Sequence, residues 1–226
     1  MVLDNAIFPQ TDLLRESFPI IREELLNVFQ RHYQSVGRHF ILWPEEGTYS
    51  RAWNLFPLFN GYLEEETQPV ADNCSQVPQT TKILQSIPGL HNAGFSVLES
   101  GTYIRPHWGD DPSIRRIHLG LIVPPKCAIR VKGETYHWQE GEVFCFDDTS
   151  VHEAWNYSGE ARVILLIDVR ASALDLDTET GDQRSSKEKL QGKCQVIRRH
   201  FYHRSGIRPS GLVGLPHKIS HKLLGL

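Results

Sequence analysis

The 226-residue chain is poor in cysteine and has no strong excess of either charge. Its four cysteines include no CxxC pair, so neither a disulfide framework nor a cysteine-rich zinc site is expected. Cys127 and Cys145 lie inside apolar runs and are predicted to be buried thiols, which fits a reducing compartment. The formal net charge of −3 provides no basic field, and nucleic acid is therefore not an expected partner.

Long hydrophobic segments are also missing. The longest unbroken apolar run, residues 163–167, is far shorter than the roughly 20 residues of a membrane-spanning helix. The N-terminal sequence MVLDNAIFPQ contains an early acid and has no basic region before an apolar core, so a signal peptide is not expected. With 40% hydrophobic and 23% charged residues, the chain is predicted to be a cytoplasmic globular protein without a membrane span.

Helical spacing of apolar residues is confined to the first part of the chain. It predicts a helix over residues 11–34, in which Pro19 either separates two helical pieces or marks the first turn of the second. Residues 43–70 are predicted to be irregular with short strands. Residues 80–87 are predicted to form a short helix that Thr80 or Thr81 caps.

From residue 93 onward the pattern changes to short β-like runs separated by turns rich in Gly, Pro or Asp. The turns recur at intervals of roughly 8–12 residues, which is typical of an antiparallel sandwich or barrel. The predicted strands are 95–99, 116–123, 127–131, 134–138, 142–146 and 161–169. The segment 132–134 is predicted to be a hairpin turn.

These patterns divide the chain into three regions. Residues 1–92 are predicted to be helical and irregular and to pack on the core, and residues 93–173 are predicted to form the β core. Residues 174–226 are predicted to be a polar linker and a basic tail. From residue 176 on there are ten Lys or Arg against four acids, which indicates either a solvated appendage or a separate function.

Two histidines, His107 and His152, stand 45 residues apart on either side of several predicted strands. Arg162 follows ten residues later in another strand-like run. A small β-barrel can bring these three side chains into one pocket. Two imidazoles suit a first-row metal with open positions, and a fixed guanidinium suits a carboxylate. Taken singly, each histidine is more commonly a surface residue or a satisfied core residue.

Alternation along one predicted strand places Arg116 and His118 on the face opposite Ile117 and Leu119. Two such side chains on one face of an apolar strand favour an anion-binding pocket, although a solvated face remains an alternative. Ser96 is similarly a candidate pocket residue or simply a hydroxyl inside the barrel.

Taken in order, the motifs closely resemble those of the aspartyl/asparaginyl β-hydroxylase family of iron(II)/2-oxoglutarate dioxygenases. The resemblance covers about residues 74–170. It rests on the segments 95–109, 116–124, 140–148, 152–155 and 162–169. It implies a mainly β fold: a double-stranded β-helix, or cupin-like jelly roll, with N-terminal helices and a C-terminal extension.

The resemblance also implies site residues. His107 and His152 match the iron ligands, and Arg162 matches the partner of the distal carboxylate of 2-oxoglutarate. Ser96 and His118 match the other contacts to that co-substrate. The implied cofactors are therefore Fe(II), with 2-oxoglutarate and O2 as co-substrates.

Further roles follow from the same resemblance. Arg116 matches an arginine that meets the carboxylate of the substrate. Arg105 and Trp108 flank the first histidine and are candidates for tuning substrate choice.

The position that supplies an acidic metal ligand in most iron(II)/2-oxoglutarate enzymes is here Gly109, as in the aspartyl hydroxylase branch. This implies a two-histidine site with water in place of the carboxylate. The neighbouring Asp110 or Asp111 could order that water or bind the metal.

The expected activity is hydroxylation of an unactivated C–H bond in a substrate that carries an anionic group. Such a substrate is an aspartyl or asparaginyl residue of a peptide, an amino acid or a small acidic metabolite. Three alternatives remain: a lipid acyl-chain hydroxylase of the same family, a non-catalytic cupin-like module that binds a small anion, and a cupin-type metal hydrolase or isomerase.

Overall fold

A computed structural model describes residues 2–3, 8–34, 40–43, 46–61 and 68–174. Its strands form two antiparallel sheets, in the orders β1-β9-β6-β11-β4-β3-β2 and β5-β10-β7-β8. The strands are β1 (Val2–Leu3), β2 (Ile41–Leu42), β3 (Trp53–Asn60), β4 (Leu90–Leu98), β5 (Thr102–His107), β6 (Ile114–Ile122), β7 (Cys127–Val131), β8 (Glu134–Tyr136), β9 (Val143–Phe146), β10 (His152–Asn156) and β11 (Arg162–Arg170). The helices are α1 (Thr11–Gln34), α2 (Gln68–Gln76) and α3 (Pro78–Gln85).

From β4 onward the chain alternates between the sheets, except at the hairpin β7–β8, whose two strands lie in the smaller sheet. Strands β4, β6, β9 and β11 lie in the larger sheet, and β5, β7, β8 and β10 form the smaller one. This alternation of antiparallel strands is the topology of a jelly roll. The predicted double-stranded β-helix is confirmed, and the strands of this core run from Leu90 to Arg170.

The N-terminal region extends the larger sheet at both edges. Strand β3 pairs with β4, and β2 pairs with β3, while β1 pairs with β9 at the opposite edge. The eight-residue strand Trp53–Asn60 is longer than the short strands that we predict within residues 43–70.

Helix α1 is continuous, so the prediction that Pro19 separates two helical pieces is wrong. Proline removes one backbone hydrogen bond from a helix interior. Burial of one apolar face offsets this loss, because Leu14, Ile21 and Leu25 are fully buried in a core that they share with the larger sheet.

Helix α3 starts two residues earlier than predicted, and neither of its threonines caps it. Its N-cap residue, Val77, makes no side-chain cap. Instead, the Glu24 carboxylate of α1 accepts hydrogen bonds from the backbone N–H groups of Gln79 (2.9 Å) and Thr80 (2.7 Å) and from the Thr80 hydroxyl (2.7 Å). A charged acceptor from another helix thus satisfies the exposed N–H groups of α3.

Two smaller predictions are confirmed. Cys127 and Cys145 are free and buried. The hairpin between β7 and β8 turns at Lys132 and Gly133, which both have positive φ angles (49° and 89°), as a two-residue hairpin turn requires. The polar linker and basic tail lie outside the described residues, apart from Leu174, which ends a 3-10 turn.

Candidate active site

A cavity lies between the two sheets of the jelly roll. Its apolar wall comes mainly from side chains of the core between the sheets, among them Ile104, Ile129, Phe146 and Ile164. Six of the predicted site residues line it: Ser96, His107, Arg116, His118, His152 and Arg162. The fold therefore brings side chains into one cavity although Ser96 and Arg162 are 66 positions apart in the chain.

The two histidines face each other on neighbouring strands. His107 ends β5 and is in register with His152, which begins β10, and the ring centroids are 4.2 Å apart. Nδ1 of His107 lies 2.8 Å from the carbonyl oxygen of Arg105, and Nδ1 of His152 lies 2.8 Å from that of Ser150. A carbonyl can only accept, so each Nδ1 carries the proton and each Nε2 keeps a lone pair. This is the state in which imidazole binds a metal.

Arg162, the first residue of β11, is a buried cation. The residue is 2% exposed, and its Nε and Nη1 atoms have no hydrogen-bond partner in the part of the chain that the structure describes. Burial lowers the pKa of the guanidinium to about 10, so it stays charged at neutral pH. Within the described ranges, no carboxylate lies within salt-bridge distance of it. A buried charge of this kind favours an anionic ligand in the cavity.

His118 and Ser96 present polar atoms to the same cavity, and a tryptophan donates to each of them. Trp53 Nε1 donates to Ser96 Oγ (2.9 Å), and Trp138 Nε1 donates to His118 Nδ1 (3.2 Å). His118 Nε2 is buried without a partner. Burial, together with the cations Arg162 and Arg116 and then His152, lowers the pKa of His118 well below its usual value, so this imidazole is neutral.

Arg116 lines the cavity but already has anionic partners. Its Nε and Nη2 atoms donate to the two carboxylate oxygens of Asp168 (2.8 and 3.0 Å), and its Nη1 lies 2.6 Å from Oδ1 of Asp148. All three side chains are almost completely buried. The predicted substrate contact is therefore also the centre of a buried ionic network.

Gly109 leaves room for a carboxylate from another loop. A Cβ atom on Gly109 would lie 2.7 Å from Cγ of Asp148, which is too close for two carbon atoms. The Gly109 N–H donates to the Asp148 carbonyl oxygen (2.8 Å), and Asp148 Oδ1 lies 3.6 Å from Nε2 of His152. Asp148 thus lies where a side chain at position 109 would begin.

Sequence reasoning missed Asp148. The predicted assistant Asp111 binds the backbone N–H and hydroxyl of Ser113 and pairs with Arg170 at 3.2 Å, and neither it nor Asp110 lines the cavity. The available signal was the position of Asp148, four residues before His152 in an acidic turn.

Two predicted residues lie outside the cavity lining. Arg105 is exposed and donates to the carbonyl oxygens of Gly47 (2.7 Å) and Tyr49 (3.3 Å). Trp108 is half-buried. Their predicted part in substrate choice stays a prediction.

Among the residues that the structure describes, there is no group of three or more His, Cys, Asp or Glu side chains that could hold a metal ion. None of the helices in the described ranges is long and apolar enough to cross a membrane.

The family model for aspartyl/asparaginyl β-hydroxylase matches residues 15–172. The chain belongs to the aspartyl/asparaginyl β-hydroxylase family. The membership that the motifs predict is confirmed, and the match extends further toward the N-terminus than the resemblance does.

Two relatives are similar in sequence to this chain over about 70% of its length. The ornithine lipid ester-linked acyl 2-hydroxylase of Rhizobium tropici is 35% identical over 175 residues, which cover 74% of this chain and 59% of that protein. The human aspartyl/asparaginyl β-hydroxylase is 29% identical over 163 residues, which cover 69% of this chain and 20% of that protein. The chain therefore matches less than two thirds of the length of either relative.

Solved structures of cupin type also resemble the chain. A predicted oxalate decarboxylase from Thermotoga maritima has a TM-score of 0.35 and 10% identity, covering 54% of this chain and 84% of that one. A cupin domain of a transcriptional regulator from Enterobacter cloacae has a TM-score of 0.31 and 10% identity, covering 34% and 79%.

Proposed function

We propose that the protein is an iron(II)- and 2-oxoglutarate-dependent dioxygenase that hydroxylates an unactivated C–H bond. One observation carries the proposal: two imidazoles whose Nδ1 atoms face backbone carbonyl oxygens, so that each Nε2 carries a lone pair, line the same cavity as the buried guanidinium of Arg162. This set suits a metal together with an anionic co-substrate. When bound, iron(II) with 2-oxoglutarate and O2 supplies the oxidant that converts C–H to C–OH, with succinate and CO2 as the other products.

In this proposal His107 and His152 hold the iron through their Nε2 atoms. The carbonyl oxygens of Arg105 and Ser150 fix the orientation of both rings through the Nδ1–H groups. Asp148, whose Oδ1 lies 3.6 Å from His152 Nε2, would be placed to accept a hydrogen bond from a water molecule bound to the iron.

The co-substrate is held by Arg162, His118 and Ser96. Arg162 offers its Nε and Nη1 donors to the distal carboxylate, which would supply a counter-charge for the buried guanidinium. The apolar walls between the sheets limit the access of water, which strengthens these contacts and protects the oxidation from side reactions.

For the substrate we propose first a molecule with an anionic group, such as an aspartyl-type residue or a small acid. Arg116 lines the cavity and is the proposed contact. Two carboxylates already touch its guanidinium, so a substrate anion would share it with Asp168 and Asp148.

A lipid acyl chain is the second candidate. The observation in its favour is the 35% identity to a protein named as an acyl 2-hydroxylase of an ornithine lipid. The two candidates differ in what must enter the cavity, a short anionic group or a flexible apolar chain.

A turnover assay tests the proposal. The protein, supplied with Fe(II) and 2-oxoglutarate, should form succinate only when O2 is present. His107→Ala should abolish this reaction. The control is the exposed residue Arg105, and Arg105→Ala should still form succinate in the absence of substrate. Mass spectrometry across acidic peptides, amino acids and lipids should then show one product heavier by a single oxygen atom. Succinate formation that is absent, or that is unaffected by His107→Ala, would leave an anion-binding module or another cupin-type enzyme as the better account.

A further inference from the structure

Trp138, just after β8, contacts two of the proposed co-substrate residues at once. Its indole is 7% exposed, and Nε1 lies 3.2 Å from Nδ1 of His118. The guanidinium carbon of Arg162 is 4.7 Å from the centroid of the ring. We propose that Trp138 is a positioning residue that fixes the tautomer of His118 so that its Nε2–H donates to a carboxylate of 2-oxoglutarate, an inference that rests on the proposed function.

The tautomer follows from the chemistry of the indole. The Nε1–H of tryptophan can donate a hydrogen bond but cannot accept one. Nδ1 of His118 must therefore be the unprotonated nitrogen, and the single proton of the neutral ring lies on Nε2. That Nε2 atom is buried and has no hydrogen-bond partner among the residues that the structure describes, so the donor is available to a ligand of the cavity.

Protonation of both nitrogens is disfavoured. The ring is fully buried near the cations Arg162 and Arg116, which lower its pKa. The indole and the surrounding charges thus leave one state of His118, neutral with the proton on Nε2. In the other tautomer, the lone pair of Nε2 would face the carboxylate and repel it.

The same ring also restrains Arg162. A cation above an indole face is attracted by about 0.5–2 kcal/mol, with the larger values in desolvated sites. Here the contact leaves the Nε and Nη1 donors of Arg162 unpartnered. Trp138 therefore keeps two neighbouring donors in place without accepting a hydrogen bond from either of them, and this end of the cavity favours an anion.

The tautomer can be measured in the wild-type protein without any metal. In two-bond ¹H–¹⁵N spectra of histidine-labelled protein, the His118 ring should show the pattern of protonated Nε2 and unprotonated Nδ1. A predominantly Nδ1-protonated ring, or a doubly protonated ring at neutral pH, would overturn the proposal. This result does not depend on how any variant folds.

The variant Trp138→Phe tests the role of the indole N–H, since phenylalanine keeps a smaller aromatic ring near Arg162 and has no N–H donor. The His118 signals should shift toward a mixture of tautomers, and the calorimetric affinity of the zinc(II)-loaded protein for 2-oxoglutarate should fall about tenfold. Trp155→Phe is the matched control, because Trp155 packs on another arginine, Arg130, at 5.3 Å and does not line the cavity.

The effect of Trp138→Phe in a second variant, His118→Gln, shows whether Trp138 acts by positioning His118 or by packing alone. The amide of His118→Gln carries a donor whether or not Trp138 is present, so adding Trp138→Phe to this variant should change 2-oxoglutarate affinity less than twofold. A tenfold loss in both backgrounds would overturn the positioning role. If the wild type showed the expected tautomer but bound no 2-oxoglutarate, the proposed function and the co-substrate role of His118 would be contradicted, whereas the effect of Trp138 on the tautomer would stand.

Discussion

At the scale of single residues, two arginines that line the same cavity differ in whether carboxylates pair with them. Arg116 pairs with Asp168 and also contacts Asp148, whereas Arg162 has two unpartnered N–H groups in a fully buried position. Removing one member of a buried ionic network leaves uncompensated charge. Removing a buried cation that lacks an anionic partner removes such a charge. Substitution of Arg116 and substitution of Arg162 should therefore change the free energy of unfolding by different amounts.

We expect Arg116→Met to lower the free energy of unfolding by about 3–5 kcal/mol, because two buried carboxylates lose their cation. Arg162→Met should stay within about 1 kcal/mol of the wild type or be more stable, since removal of a buried charge without an anionic partner offsets the lost contact with Trp138. Urea denaturation of metal-free protein measures both values. Equal destabilisation by the two substitutions would refute the view that Arg162 is held for a ligand.

Gly109 should tolerate no side chain. In Gly109→Ala the new methyl group collides with the Asp148 carboxylate, so this side chain must leave its place near His152. We expect weaker iron(II) binding and at least about tenfold slower turnover, since outer contacts of a metal site typically contribute that much. The control is Gly159→Ala, where an added Cβ would meet no atom within 4 Å. Unchanged iron affinity in Gly109→Ala would show that the position of Asp148 is unimportant.

Sequence motifs could predict those site residues that lie within the motifs themselves. His107, His152 and Arg162 lie at strand ends, and the regular spacing of turns predicts an antiparallel sandwich or barrel that can bring such ends together. For Asp148 the only local signal is its place in the acidic turn before His152, and for Trp138 there is none, because both roles depend on contacts between loops and sheets.

At the scale of elements, a carboxylate of helix α1 caps the N-terminus of helix α3. Glu24 supplies the acceptor that the N-terminus of α3 lacks. Sequence analysis placed the cap within α3 because capping is usually local. Six strands of the core, β4, β6, β7, β8, β9 and β11, are predicted to within five residues, because turn chemistry is local. The bounds of β5 and β10 are not predicted, nor is the full length of β3, which the pairing with β4 stabilises.

Glu24→Ala should therefore destabilise the protein by about 1–2 kcal/mol, as the loss of a helix cap does. The exposed neighbour Glu23 provides the control, and Glu23→Ala should have little effect. Chemical denaturation gives the free energies, and amide hydrogen exchange should show faster exchange at Gln79 and Thr80 in Glu24→Ala only. Equal effects of the two substitutions would contradict the capping role.

At the scale of the whole molecule, two buried histidines make stability depend on pH. Burial is the main cause that lowers the pKa of both His91 and His118 from 6.5. The folded protein therefore binds fewer protons than the unfolded chain, and stability falls as the pH drops below 6.5 toward the folded-state values. The slope is at most about 1.4 kcal/mol per pH unit for each histidine.

Between about pH 5 and pH 7 we expect the free energy of unfolding of the metal-free protein to rise with pH. His91→Gln should reduce this slope, because glutamine does not titrate, and its activity should be less affected than that of any cavity variant, since His91 does not line the cavity. Urea denaturation at a series of pH values gives the slope. A slope that His91→Gln leaves unchanged would show that this residue is not responsible.

The fold as a whole brings the end of β5 beside the start of β10, and with them the two histidines. The most direct test of the central claim is an anaerobic titration of iron(II) and 2-oxoglutarate followed by visible absorption. We predict one iron per chain, and a charge-transfer band that appears only when both components are present and is lost in His152→Ala. A protein that binds no iron, or that shows no band with 2-oxoglutarate, would contradict the account.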